Sequence, residues 1–140
     1  MDLSENKLSP KAETEGVWVP YDNETSFLVA RFLNTHHSAY VNKRMEPFRR
    51  LQRMGKLDDK IVDEIEVDAM ARHVLLGWKG LKNNGKEIKY SVDEAIKLLS
   101  DPALSWLMDL IRTWSQDISL FREEALAETE TVVKKLSSGQ

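Results

Sequence analysis

Asp58-Asp59-Lys60-Ile61-Val62-Asp63-Glu64-Ile65-Glu66-Val67-Asp68-Ala69-Met70-Ala71-Arg72-His73-Val74-Leu75-Leu76-Gly77-Trp78-Lys79-Gly80 carries the strongest periodic signal in the chain. A short carboxylate at Asp58 or Asp59 can accept the first free backbone N–H groups of a helix. The acidic residues that follow suit the positive end of its dipole. Ile61, Ile65, Ala69, Val74, Leu75, Leu76 and Trp78 then build an apolar face that widens toward the C-terminal end. The spacing predicts one helix across this stretch, with Gly77 and Gly80 marking its exit.

Upstream, residues 35–54 also have helical character, with Tyr40, Phe48 and Leu51 as apolar landmarks. Pro47 lacks the N–H that a helix interior needs, so a kink or break falls there, and Gly55 ends the element. Earlier still, Val17, Val19 and Tyr21 alternate with Trp18 and Pro20, Asp22-Asn23-Glu24-Thr25 supplies turn chemistry, and Phe27–Leu33 is rich in aromatic and branched residues. This predicts a β-hairpin, with Pro20 placing the first strand on an edge. Downstream, residues 79–90 read as a loop turning at Asn84-Gly85. Ser91-Val92-Asp93-Glu94 is a capping box for a short helix burying Val92, Ala95, Ile96 and Leu99. Asp101-Pro102 reads as N-cap and first residue of a last helix, running to about residue 126 or further, toward 135.

The expected fold is therefore mainly α (α+β): a compact helical domain over residues 16–130 with a small N-terminal β-hairpin. Flexible tails are expected at 1–15 and 131–140, where few large apolar residues occur. A chain of 140 residues with 41% hydrophobic and 31% charged residues can bury one core and is too apolar for wholesale disorder.

With no cysteine, disulfides, thiolate metal sites and a cysteine nucleophile are excluded. No apolar run reaches the roughly 20 residues of a membrane span, and the start lacks signal-peptide features, so no membrane association is expected. His36, His37 and His73 have no metal-ligand spacing, and the acids of 58–68 spread around a helix rather than converging. No nucleophile elbow or phosphate-binding glycine loop occurs, so neither enzyme activity nor a cofactor or metal is expected.

What remains is charge and aromatic patterning. Residues 27–57 carry seven basic and one acidic side chain, between segments 1–26 and 58–78 that each carry two basic and six acidic ones. The basic stretch, with Arg44, Arg49, Arg50, Arg53 and Lys56, is best read as pairing with the acidic helix or with a partner protein. A DNA-binding regulator using residues 43–56 is the alternative, disfavoured by the acidic overall balance. Trp18 sits on the expected edge strand, while Trp106, Ile111 and Trp114 lie on the last helix, whose apolar positions exceed a narrow stripe. Together with Arg49, Arg50 and Arg53 they are the candidate partner-binding residues.

Ala71–Gly80 ending in Gly77-Trp78-Lys79-Gly80, then Asn84-Gly85, Tyr90-Ser91, Glu94–Leu99 and Asp101-Pro102, resembles the tail assembly chaperones of long, non-contractile-tailed phages. Gly16–Tyr21 and Phe27–Asn34 resemble that family's opening. The resemblance implies binding to the tape measure protein, recruitment of tail tube protein, and action in the host cytoplasm with absence from the mature virion. Self-association into a homo-oligomer is compatible with the alternating charge, and a structural head–tail protein is the further alternative.

Overall fold

The computed structural model describes residues 1–123, so the expected C-terminal tail at 131–140 lies outside the described residues. The fold is α+β. Helix α1 spans Pro10–Glu15, strand β1 Val17–Pro20 and strand β2 Ser26–Val29. Helices α2 (Thr35–Met45), α3 (Arg49–Arg53) and α4 (Asp59–His73) follow, then β3 (Leu75–Lys79). A small ribbon, β4 (Lys82–Asn83) and β5 (Lys86–Glu87), leads to α5 (Val92–Ser100) and α6 (Ser105–Gln116).

The hairpin of β1 and β2 forms as expected, antiparallel, with Val19 opposite Phe27 and Trp18 opposite Leu28. Its partner was not foreseen. Residues 75–79 are strand β3, which pairs with β2 to give the order β1-β2-β3. The helix expected to run to Trp78 stops at His73, and Val74 leaves helical geometry. The widening apolar face was the trace of this switch: Leu75 and Trp78 are buried, and Gly77 is buried beneath the sheet's other face. A run apolar on both sides satisfies a strand between layers as well as a helix, and here the open backbone edge of β2 decides. Phe27 lies opposite Trp78 and Leu28 opposite Gly77, with an irregular step between Leu28 and Val29.

The core sits between the inner face of this sheet and α4, α5 and α6. Phe27, Val29, Met70, Leu75, Ala95 and Ile111 are almost fully removed from solvent. Trp78 closes it, donating its indole N–H to the Ile88 carbonyl at 2.8 Å and meeting Tyr90 edge-on.

Residues 1–15, expected as a flexible tail, carry α1 and are tied down. Ser9 caps the helix, accepting the Ala12 N–H, and Pro10 occupies its first turn. Ala12 is buried, the Ser9 N–H donates to the Phe121 carbonyl at 2.7 Å, and Leu8 forms a bridge with Arg122. Small residues with good caps anchor this segment, which a search for large apolar side chains passes over.

Pro47 breaks the basic helix as expected: a 3-10 turn at Glu46–Phe48 separates α2 from α3. The last helix is shorter than its periodicity implied. A 3-10 turn at Pro102–Leu104 precedes it, and it ends at Gln116. The Asp117 carboxylate then accepts the Ser119 N–H, offering the backbone a turn in place of helix, and a 3-10 turn runs over Ile118–Phe121.

Candidate protein-binding surface

Two side-chain arrangements hold the framework that any surface site depends on. Between α2 and α4, the buried Asp68 carboxylate accepts hydrogen bonds from the Tyr40 hydroxyl, the Arg44 guanidinium and, at 2.7 Å, the Arg72 Nε. Burial pushes the Asp68 pKa up, but the bonds from Tyr40 and Arg72 and the charges of Arg72 and Arg44 outweigh it, and the net shift is downward. The expected pairing of the basic segment with the acidic helix is thus realised by Arg44. Arg112 of α6 pairs with Glu66, tying α6 to the same helix.

His37 is the second. It is buried against Phe32, with ring centroids 5.1 Å apart, and its Nδ1 accepts the Leu33 N–H at 3.0 Å. Leu33 has φ +61°, so this bond holds a turn that a leucine would otherwise avoid. Burial first, and the nearby His73 second, lower the His37 pKa. The unfolded state therefore takes up protons more readily than the folded one. The contribution is complete above the ordinary histidine value of about 6.5 and is lost as pH falls through the lowered folded value. Urea unfolding midpoints should drop on going from about pH 7 to about pH 5, with His73, also lowered chiefly by burial, adding the same sign. His37→Gln should flatten that slope; an unchanged slope would show that His37 does not couple folding to protonation.

An open groove of about 820 Å³ lies between the β4–β5 ribbon and the α5–α6 corner. The ribbon turns at Asn84-Gly85, both at positive φ, which is the geometry two-residue hairpins prefer. The Ile88 N–H donates to the Leu81 carbonyl, closing the ribbon's base. Leu81, Ile88, Leu98, Leu104 and Leu107 supply apolar lining, with Lys82, Lys86, Lys89 and Lys97 around it, alongside Glu87, Glu94 and Asp101. Trp106 also lines the groove, 49% exposed, and its ring stacks on the exposed Tyr21 with centroids 6.0 Å apart.

The sequence candidates separate accordingly. Trp106 lies at the groove. Ile111 is fully buried and Trp114 is half-buried, packed against the core and 6.0 Å from the Phe27 ring, so these two candidates face the core rather than a partner. They lie on the inner side of an amphipathic helix, where Leu107 and Ser115 are buried with them. Trp18 is 42% exposed on the outer face of the sheet, where it covers Gly77 and carries the Lys79 Nζ 4.2 Å above its ring. Arg49, Arg50 and Arg53 sit together on α3, away from the groove lining. Leu81, Ile88 and Leu98 are not among the sequence candidates; the available signal was the apolar pair Leu81 and Ile88 flanking the Asn84-Gly85 turn, with Leu98 on the helix that follows.

Among the described residues no cluster of three His, Asp or Glu side chains could hold a metal ion, and no helix is long and apolar enough to cross a membrane. Residues 32–132 match the YdaY prophage protein family. The chain belongs to that family. The match starts just after β2 and takes in the Asp68 cluster, the ribbon, the groove and α6, so the YdaY framework includes every groove-lining residue named above. It places the chain among phage-derived proteins. Comparison with curated proteins and with solved structures finds no match for this chain.

Proposed function

We propose that this YdaY-family chain is a tail assembly chaperone. It binds amphipathic helices of the tape measure protein, keeps them from aggregating and helps bring tail tube subunits to them, by binding and not by catalysis. The observation that carries this reading is the groove beside Trp106: an apolar lining of Leu81, Ile88, Leu98, Leu104 and Leu107, left open on the surface with lysines and acidic residues around it. Amphipathic helices dock in such grooves through side chains three and four residues apart, and a half-exposed tryptophan is a favoured anchor. The phage origin of the family and the resemblance of the Ala71–Pro102 stretch to tail chaperones agree with it. The site of action would be the host cytoplasm during assembly.

Co-expression with the tape measure protein of the same phage tests this. The expected result is a soluble tape measure protein that co-purifies with the chain. Tape measure protein that stays insoluble beside a folded, unbound partner would sink the reading.

A further inference from the structure

Internal pairing uses only part of the charge that residues 43–68 carry. Arg44 and Asp68 meet across α2 and α4, whereas no opposite charge lies within 4.0 Å of Arg50, Arg53, Asp59 or Asp63 among the described residues. These four side chains are exposed and fall into two matching sets. On α3 and its C-cap, Arg50, Arg53 and Met54 stand at i, i+3 and i+4, so they share one face. On the first turns of α4, Asp59, Val62 and Asp63 stand at the same spacing. Each set is two like charges and one exposed aliphatic: Met54 is 50% exposed and Val62 38%, with Leu51, also on α3, at 41%. The two faces are joined by Gly55-Lys56-Leu57, and Gly55 turns the chain at φ +67°.

We propose that this corner is a self-association surface, with α3 of one copy against the start of α4 of a second copy. A two-fold arrangement makes the contact twice, since a basic set and an acidic set lie on every copy. Charge complementarity selects a second copy over nucleic acid: half of the surface is acidic, and aliphatic side chains are interleaved with the arginines. The exposed apolar area is small for a permanent dimer, so the association is reversible and weakened by salt. The inference uses neither the groove nor a client and stands apart from the chaperone reading.

Sedimentation of the full chain over a range of concentrations tests it, at about 50 mM and about 500 mM salt. The expected result is a monomer–dimer equilibrium that shifts at least about tenfold toward monomer at high salt. The double variants Arg50→Glu/Arg53→Glu and Asp59→Lys/Asp63→Lys should each weaken association by about tenfold or more. An equimolar mixture of the two should restore a mixed dimer, because both contacts then pair opposite charges. Circular dichroism confirms folding; should a double variant unfold, Arg53→Gln and Asp63→Asn take its place, and each should reduce the salt dependence. A monomer at every concentration, a dimer indifferent to these changes, or variants not rescued by mixing would overturn the proposal. So would a monomer whose arginines bind DNA.

Discussion

Gly80→Ala should lower the stability of the domain by about 3 kcal/mol or more, one of the largest effects of any single methyl group here. Two causes act together. Gly80 has φ +73°, which a residue with a Cβ adopts only under strain. An added Cβ would also fall on the Glu24 backbone carbonyl, whose carbon lies 2.8 Å away. That backbone belongs to the turn between β1 and β2, and the Thr25 hydroxyl donates to the Gly80 carbonyl at 3.2 Å, so neither side can retreat cheaply. Gly55 separates the two causes. Its φ is +67°, yet a Cβ there would meet nothing within 4 Å, so Gly55→Ala should cost only the backbone strain, about 1 kcal/mol. Urea unfolding of both variants reads the difference. Equal midpoints would mean that the hairpin turn does not seat on the end of β3.

This contact also shows what a one-dimensional pattern can and cannot carry. The hairpin of residues 17–29, the break at Pro47 and the Ser91 cap were legible because their causes are local: alternation, a missing N–H, a hydroxyl three residues from an amide. Strand β3 was not, because Val74–Trp78 is apolar on both sides, and only the edge of β2, some fifty residues earlier in the chain, makes it a strand. The end of α6 was hidden for the opposite reason. Ile118 and Phe121 continue the helical spacing, but the Asp117 side chain captures the Ser119 N–H, and Ile118 finishes 44% exposed. The groove combines both difficulties. Leu81 and Ile88 come together through the ribbon, then meet Leu98 and Leu104 only once α5 has packed against α4. Which apolar residue faces outward depends on packing: Trp106 and Ile111 carry equal weight in the sequence although they lie on opposite sides of one helix.

Those two residues should respond in opposite ways. Ile111 is fully buried between α6 and the sheet, so Ile111→Ala leaves a cavity and should cost about 2–5 kcal/mol, a large share of the roughly 5–15 kcal/mol that holds a domain together. Any client bound by the folded fraction should be held as tightly as before. Trp106 is half-exposed and loses mainly its stacking on Tyr21, so Trp106→Ala should cost only about 1 kcal/mol of stability. Its cost should appear in binding instead, as a loss of at least about tenfold in affinity for a tape measure helix, the scale of an interface anchor. Unfolding curves and titrations with the helix, done on both variants, separate the roles. If Trp106→Ala binds normally, the groove beside the β4–β5 ribbon is not where the client sits. If Ile111→Ala folds normally yet fails to bind, α6 opens its inner face to the client, and the groove is only the closed form of a larger site.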